Sequence, residues 1–148
     1  MTPPGRHPEP LRGILPALIA LVLAACADPL VGLKPLTVDA ARAASVGVVS
    51  IVNQSADATA EDLVALQTAL VDRASRCATG PKRYDMIVKV QNFRHGSWRL
   101  VSLPYTVQAR VVLIDPTYNT VAATYYVEAD RPGAFANRVC RDVFDFAN

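Results

Sequence analysis

The sequence predicts an α+β fold in which helices cover one face of a mixed β-sheet, forming a two-layer sandwich. Three observations predict it. A helical stripe of apolar residues follows a first β-branched run, three later segments alternate between apolar and polar residues, and a second helical stripe closes the chain. The expected order of elements is β-α-β-β-β-α, within a single domain at residues 46–148.

The first strand and helix are predicted by a change of periodicity near residue 55. Residues 46–52 are apolar on both faces, which is typical of a central strand buried on both sides. A helix is expected from Thr59 or Ala60, where acidic residues follow directly and suit a helix N-terminus. The helix ends at Gly80-Pro81. Its apolar stripe consists of Leu63, Leu66, Leu70, Ala74 and Cys77.

The second half of the chain has the alternation of β-strands. Residues 84–93, 105–115 and 120–129 place mostly apolar side chains at every second position. The last two of these segments are separated by the short turn 115–119, so they should pair as an antiparallel hairpin. Residues 134–146 then predict a final helix whose apolar face consists of Phe135, Val139, Val143 and Phe146.

An apolar run near the N-terminus follows a short, basic, proline-rich stretch. The run spans residues 14–25, and its 12 residues are fewer than the roughly 20 that a membrane-spanning helix needs. A basic start, a short apolar stretch and small residues at its end are typical of a secretory signal. We therefore expect a signal peptide at residues 1–25. Residues 26–45, which contain Pro29 and Pro35, are expected to form a tether.

The end of the apolar run carries a recognisable motif. Leu23-Ala24-Ala25-Cys26 resembles the lipobox of bacterial lipoproteins. The resemblance implies cleavage before Cys26, a diacylglycerol on its thiol and an acyl chain such as palmitate on its new amine. Two or three chains hold a protein firmly on a membrane without spanning it. Because Ala27 rather than Asp follows the cysteine, the resemblance favours the outer membrane over the inner membrane.

The charge of the predicted mature chain argues against nucleic acid as a partner. Removing residues 1–25 leaves 13 basic and 12 acidic side chains, a net charge of +1. A chain so close to neutrality lacks the strong positive field that nucleic-acid binding requires.

The three cysteines divide into one lipidation site and one pair. With Cys26 lipidated, Cys77 and Cys140 remain in an oxidising compartment, which favours a disulfide. The disulfide would close a loop of 63 residues and contribute roughly 4 kcal/mol in the chain-entropy model. Two buried free thiols are the alternative. One mature histidine and two cysteines do not make a usual zinc set, so we expect neither a metal nor a cofactor.

Nothing in the motifs predicts an enzyme. The mature chain contains no Gly-x-Ser-x-Gly elbow, no glycine-rich phosphate loop and no His-Glu-x-x-His. Its one histidine, His95, is not part of a nucleophilic motif. We therefore expect no catalytic residues.

One loop is a candidate contact surface. The segment between residues 93 and 104 contains Arg94, His95, Trp98 and Arg99, and tryptophan and arginine are enriched in interface hot spots. These four residues are the predicted partner-binding residues. The alternative is a solvated loop whose tryptophan folds back on the sheet.

The order of elements carries a second resemblance. Residues 46–55, 63–70 and 111–123, together with Tyr84-Asp85, are similar to small periplasmic lipoprotein domains related to the curli-secretion lipoprotein and the N-terminal domain of TolB. The resemblance implies a binding or assembly module of the cell envelope with another envelope protein as its partner. The alternative is an auxiliary lipoprotein of a lipid or solute transport system, which would need an apolar groove.

Overall fold

The structure, a computed structural model, describes residues 31–95 and 105–144. Within these residues the chain forms one five-stranded mixed sheet and three α-helices. The strands are β1 (Val31–Lys34), β2 (Ala44–Asn53), β3 (Lys82–Arg94), β4 (Thr106–Asp115) and β5 (Thr120–Ala129). The helices are α1 (Val38–Arg42), α2 (Ala60–Cys77) and α3 (Pro132–Val139), the last followed by a π-helical turn, Cys140–Phe144.

The sheet has the order β1-β5-β4-β3-β2. β2 and β3 are parallel and are connected through α2, whereas the other neighbours are antiparallel. α2 packs against β2, α3 packs against β5, and the two helices pack against each other on the same side of the sheet. The predicted α+β fold, with helices on a mixed sheet, is confirmed.

The core lies between the sheet and the helices. β3, β4 and β5 point every second side chain towards α2 and α3, and these side chains are almost completely buried. The fully buried positions include Met86, Val88, Val90, Val107, Val111, Leu113, Tyr125 and Val127. Leu66 and Leu70 of α2 and Phe135 of α3 complete the core from the helical side.

The prediction of a central first strand is wrong. β2 lies at one edge of the sheet and pairs only with β3 among the described strands. Val48 and Val52 are 51% and 42% exposed, on the face opposite the helices. The apolar composition of the run matched that of a strand with helices on both sides, but none of the helices in residues 31–95 and 105–144 covers the second face of the sheet.

The folded part begins earlier than predicted. β1 and α1 lie inside residues 31–45, which were expected to belong to the tether. β1 pairs with β5, placing Val31 opposite Tyr126. The backbone N–H of Leu36 donates a hydrogen bond of 2.7 Å to the buried hydroxyl of Tyr125. These contacts join positions about 90 residues apart, which local periodicity does not reveal.

The turn and the helix ends follow the sequence closely. α2 begins after Thr59, as predicted, with a capping box formed by Thr59 and Asp62. In the turn between β4 and β5, Asn119 has a φ of 50°, a left-handed conformation that asparagine tolerates. The predicted final helix is regular only to Val139 and then widens into the π-helical turn.

Candidate functional site

The structure describes both ends of the predicted contact loop. Arg94 closes β3, and its register partner is Thr106 at the start of β4, so the loop leaves and re-enters the sheet at one point. His95 and Tyr105 flank the loop, and Arg94 and His95 are exposed. The other two predicted contact residues, Trp98 and Arg99, lie outside the described residues.

Three rings form the base of this loop, and we call Phe93, His95 and Tyr105 the aromatic base. Phe93 is fully buried. The ring of Phe93 lies 5.5 Å from that of His95 and 5.2 Å from that of Tyr105, and the His95 and Tyr105 rings are 5.7 Å apart. Tilted and edge-on arrangements at these separations are the favoured geometries of aromatic pairs. The aromatic base therefore fixes where the loop begins and ends.

A contact between His95 and Asp62 joins the aromatic base to the start of α2. His95 Nε2 lies 3.0 Å from Asp62 Oδ2. The same carboxylate accepts hydrogen bonds of 2.8 Å from the backbone N–H of Thr59 and 2.7 Å from its hydroxyl. One aspartate thus caps α2 and holds the loop base.

The electrostatics of this cluster follow from its partial burial. Burial alone would raise the pKa of Asp62, but the hydrogen bonds from Thr59 and the charge of His95 outweigh it and lower that pKa. Burial, and then the negative charge of Asp62, raise the pKa of Tyr105 to about 12. Tyr105 therefore stays neutral at physiological pH.

A second polar link ties the loop base to the β2–α2 connection. The backbone N–H of Phe93 donates a hydrogen bond of 3.1 Å to the hydroxyl of Ser55, which is 9% exposed. Ser55 in turn donates its own backbone N–H to Asn53 Oδ1 at 2.9 Å. Local sequence patterns do not assign Asp62 or Ser55 to this site, because their partners there, His95 and Phe93, are more than 30 positions away. An aspartate at a helix start and a serine after a strand are explained locally as caps and turns.

The cysteine pair lies on the helical side of the fold. The structure joins Cys77, at the end of α2, to Cys140, at the start of the π-helical turn, with the two Cα atoms 5.9 Å apart. This is the pair that the sequence indicated. Cys26, the cysteine predicted to carry the lipid, lies outside the described residues.

The loop base presents an exposed imidazole and an exposed guanidinium beside the buried ring of Phe93. The described contacts of His95 are the Asp62 carboxylate and the two aromatic rings, with no nucleophile among them. Among residues 31–95 and 105–144, no group of three His, Cys, Asp or Glu side chains is placed to hold a metal ion. None of the helices in the same residues has the length and apolar character to cross a membrane.

Among the comparisons with known proteins, only the comparison with solved structures gives a match, and that match is one of fold. No family model matches the sequence, and no curated protein matches it. Among solved structures, the chain is similar to the PelC dodecamer from Paraburkholderia phytofirmans at 15% identity and a TM-score of 0.52, covering 80% of this chain and 94% of that one. A single-residue variant of the same PelC dodecamer matches at 15% identity and a TM-score of 0.49, covering 78% of this chain and 88% of that one. The likeness shows that the two proteins share a fold.

Proposed function

We propose that this chain is a bacterial lipoprotein, anchored through acylated Cys26, that acts as a binding or assembly module of the cell envelope. The observation that carries the proposal is the sequence Leu23-Ala24-Ala25-Cys26 directly after an apolar, signal-type run. Because Ala27 follows the cysteine, we propose the outer membrane, at its periplasmic face, as the site of anchoring.

The topology supports a short distance between the proposed anchor and the domain. Cys26 is five residues before Val31, the first residue of β1, and five residues reach at most about 18 Å. Val31 lies opposite Tyr126, while Lys34 lies opposite Thr124, so the start of β1 points to the end of the sheet where β5 finishes. The start of β4 is at that same end, because Val107 lies opposite Ala129. Val31, five residues after the proposed anchor, and Arg94 and Thr106, where the loop leaves and re-enters the sheet, thus lie at the same end of the sheet.

This arrangement supports a partner held close to the membrane surface. The aromatic base fixes the loop ends, and Arg94 is exposed beside it. Trp98 and Arg99 continue the loop in the sequence and are retained as proposed contact residues together with Arg94. His95 takes a different part in the proposal, as the residue that positions the loop through Asp62.

The outer edge of β2, which pairs with no other strand of the described residues, supports a second contact surface. Val48 and Val52 are exposed on this strand, and an unpaired strand edge offers backbone groups to another chain. Gln67 of α2 covers one of these groups, donating a hydrogen bond of 2.8 Å from Nε2 to the carbonyl of Val49. Because PelC forms a dodecamer, the first partner to test at this edge is a second copy of the chain.

The transport alternative has no specific support in the described residues. It needs an apolar groove for an acyl chain. Two open clefts among the described residues are instead lined by several charged and polar side chains, with Glu128 and Arg138 in one and Arg73 and Arg76 in the other. We do not advance it further.

Mass spectrometry of the N-terminal peptide tests the anchor. We expect the full chain, made in a diderm bacterium, to carry a diacylglycerol-modified Cys26 and to fractionate with the outer membrane. Cys26→Ser should abolish the modification, whereas the double variant Cys77→Ser, Cys140→Ser should keep it. Ala27→Asp should move the protein to the inner membrane. An unmodified Cys26 in the wild-type chain would overturn the proposal.

Cross-linking in intact cells tests the partner. After cross-linking, the chain is extracted in detergent through a C-terminal tag, and the co-purifying proteins are identified by mass spectrometry. The proposal expects an envelope protein or a second copy of the chain in stoichiometric amount. Recovery of the uncross-linked monomer alone would contradict a binding or assembly role.

A further inference from the structure

Three arginines line a cleft between α2 and the C-terminal helical segment. The cleft has a volume of about 650 Å³ and lies beside the Cys77–Cys140 disulfide. Arg73 and Arg76 come from the last turns of α2, and Arg141 comes from the π-helical turn. No carboxylate side chain of the described residues lines it. We call this depression the arginine cleft.

The carboxylates of the described residues compensate only part of the positive charge of the arginine cleft. Arg76 pairs with Asp72 at 2.7 Å and Arg141 pairs with Asp142 at 2.7 Å. The Arg76–Asp72 pair is exposed on both sides, 64% and 58%, so it contributes about 1 kcal/mol or less and is readily rearranged. Within residues 31–95 and 105–144, the guanidinium of Arg73 has no carboxylate partner. Among the described residues, three guanidinium groups therefore line the cleft, and the printed ion pairs of two of them are with Asp72 and Asp142.

The backbone under these side chains is held rigidly. The disulfide ties the end of α2 to the start of the π-helical turn, and α2 and α3 also pack against each other. Leu70, Ala74 and Val139 fill the interior directly beneath, with little empty space between them. A cleft whose walls are fixed in this way loses less conformational entropy when a ligand binds than one on a flexible loop.

We propose that the arginine cleft binds a phosphate-type oxyanion carried on a larger molecule. Guanidinium groups present planar forks of N–H donors that match phosphate oxygens, and they bind such anions more specifically than lysine does. The volume of the cleft exceeds what a single inorganic phosphate fills, which leaves room for the group that carries it. The near-neutral charge of the whole chain does not oppose this, because the arginines are concentrated locally. The proposal is independent of the lipid anchor.

Titration calorimetry with inorganic pyrophosphate tests the cleft, using the full chain purified in detergent at low ionic strength. We expect saturable binding that Arg73→Gln weakens at least tenfold and that the double variant Arg73→Gln, Arg76→Gln abolishes. Arg110→Gln is the matched control, because Arg110 is an exposed arginine on the far face of the sheet, and it should change the dissociation constant less than twofold. Added sodium chloride should weaken binding in the wild-type chain. No pyrophosphate binding, or an equal loss in Arg110→Gln, would overturn the proposal.

Competition in the same micelles separates two sources of the phosphate. Displacement of pyrophosphate by phosphatidylglycerol, and not by phosphatidylcholine, would assign a lipid headgroup. Displacement by soluble glycerol 3-phosphate at the same concentration, with no effect of either lipid, would assign a soluble phosphorylated compound. If neither competes, the cleft does not recognise a carried phosphate and the proposal fails.

Discussion

At the scale of single residues, His95 shows how far composition alone can identify a contact residue. The sequence predicts it to be an exposed interface residue because Arg94 and Trp98 lie close to it in the chain. In the structure its ring packs beside Phe93 and Tyr105, and its Nε2 lies 3.0 Å from Asp62. Its side chain is still 48% exposed, so it belongs both to the loop and to the fold. The interaction with Asp62 spans 33 residues, and no local pattern encodes it.

Asp62→Asn tests the double use of this carboxylate in the α2 cap and the loop base. Because the folded-state pKa of Asp62 lies below 3.8, the ionised form stabilises the fold above that pH, and the contribution disappears as pH falls through the lowered value. We expect the variant to lose about 1 kcal/mol of unfolding free energy at pH 7, within the range of a lost helix cap. The difference from wild type should shrink below pH 4 in urea unfolding measured by circular dichroism. Asp57→Asn, at an exposed loop position, should change stability little at either pH; equal losses in both variants would contradict the assignment.

Trp98→Ala tests the loop as a contact surface. Since Trp98 follows the aromatic base by only a few residues, its removal should reduce partner recovery in the cell cross-linking experiment at least fivefold. A buried tryptophan would instead cost about 3–5 kcal/mol of stability, so unfolding should be measured alongside. Tyr118→Ala is the control, because Tyr118 is 74% exposed in the turn at the opposite end of the sheet. Unchanged recovery with Trp98→Ala would exclude the loop from the interface.

At the scale of elements, the sequence predicts what local periodicity determines and misses what sheet neighbours determine. β4 and β5 bury mostly every second side chain, and both strands and their hairpin are found where predicted. α2 begins at the predicted cap and stops before Gly80. The position of β2 at an edge, and the pairing of β1 with β5, depend on contacts between distant parts of the chain. A run of valines does not distinguish a central strand with helices on both faces of the sheet from an edge strand with helices on one face.

Alanine substitutions at Gly80 and Gly133 test how closely the ends of these elements approach neighbouring atoms. A Cβ on Gly80 would collide with backbone atoms of Ala43, which precedes β2, and backbone moves only with the strand. Gly80→Ala should therefore lower the unfolding free energy by about 2 kcal/mol or more, in line with overpacking of a tight site. A Cβ on Gly133, in the first turn of α3, would meet nothing within 4 Å. Gly133→Ala should stabilise the fold by about 0.5 kcal/mol. Chemical denaturation of both variants measures the two changes in unfolding free energy. Equal changes would show that the close approach of Gly80 to Ala43 does not make Gly80→Ala destabilising.

At the scale of the whole molecule, the two sides of the sheet have different uses. One face is covered by α2 and α3 and holds the core, and this side also carries the disulfide and the arginine cleft. The other face carries no helix in the described residues, and a row of side-chain amides and carboxylates crosses it. Asn92 donates to Gln108 at 3.2 Å, and Gln108 donates to Glu128 at 3.0 Å. These cross-strand bonds link β3, β4 and β5 on the face opposite the helices and support their register.

The outer edge of β2, unpaired among the described strands, gives the proposed self-assembly its own test. Two exposed valines are replaced by charged residues, each next to an opposite charge on β3. The substitutions are Val48→Lys beside Asp85 and Val52→Glu opposite Lys89. The double variant keeps the net charge, and exposed substitutions of this kind change stability by about 0.5 kcal/mol or less. If copies join through this edge, cross-linking in cells should give a ladder of multiples of the monomer for the wild-type chain and monomer alone for the variant, since charged edges resist strand addition. Tyr118→Glu, in the distant β4–β5 turn, should leave the ladder intact. A ladder that persists in the double variant would place the contact elsewhere, and a wild-type chain without a ladder would exclude self-assembly.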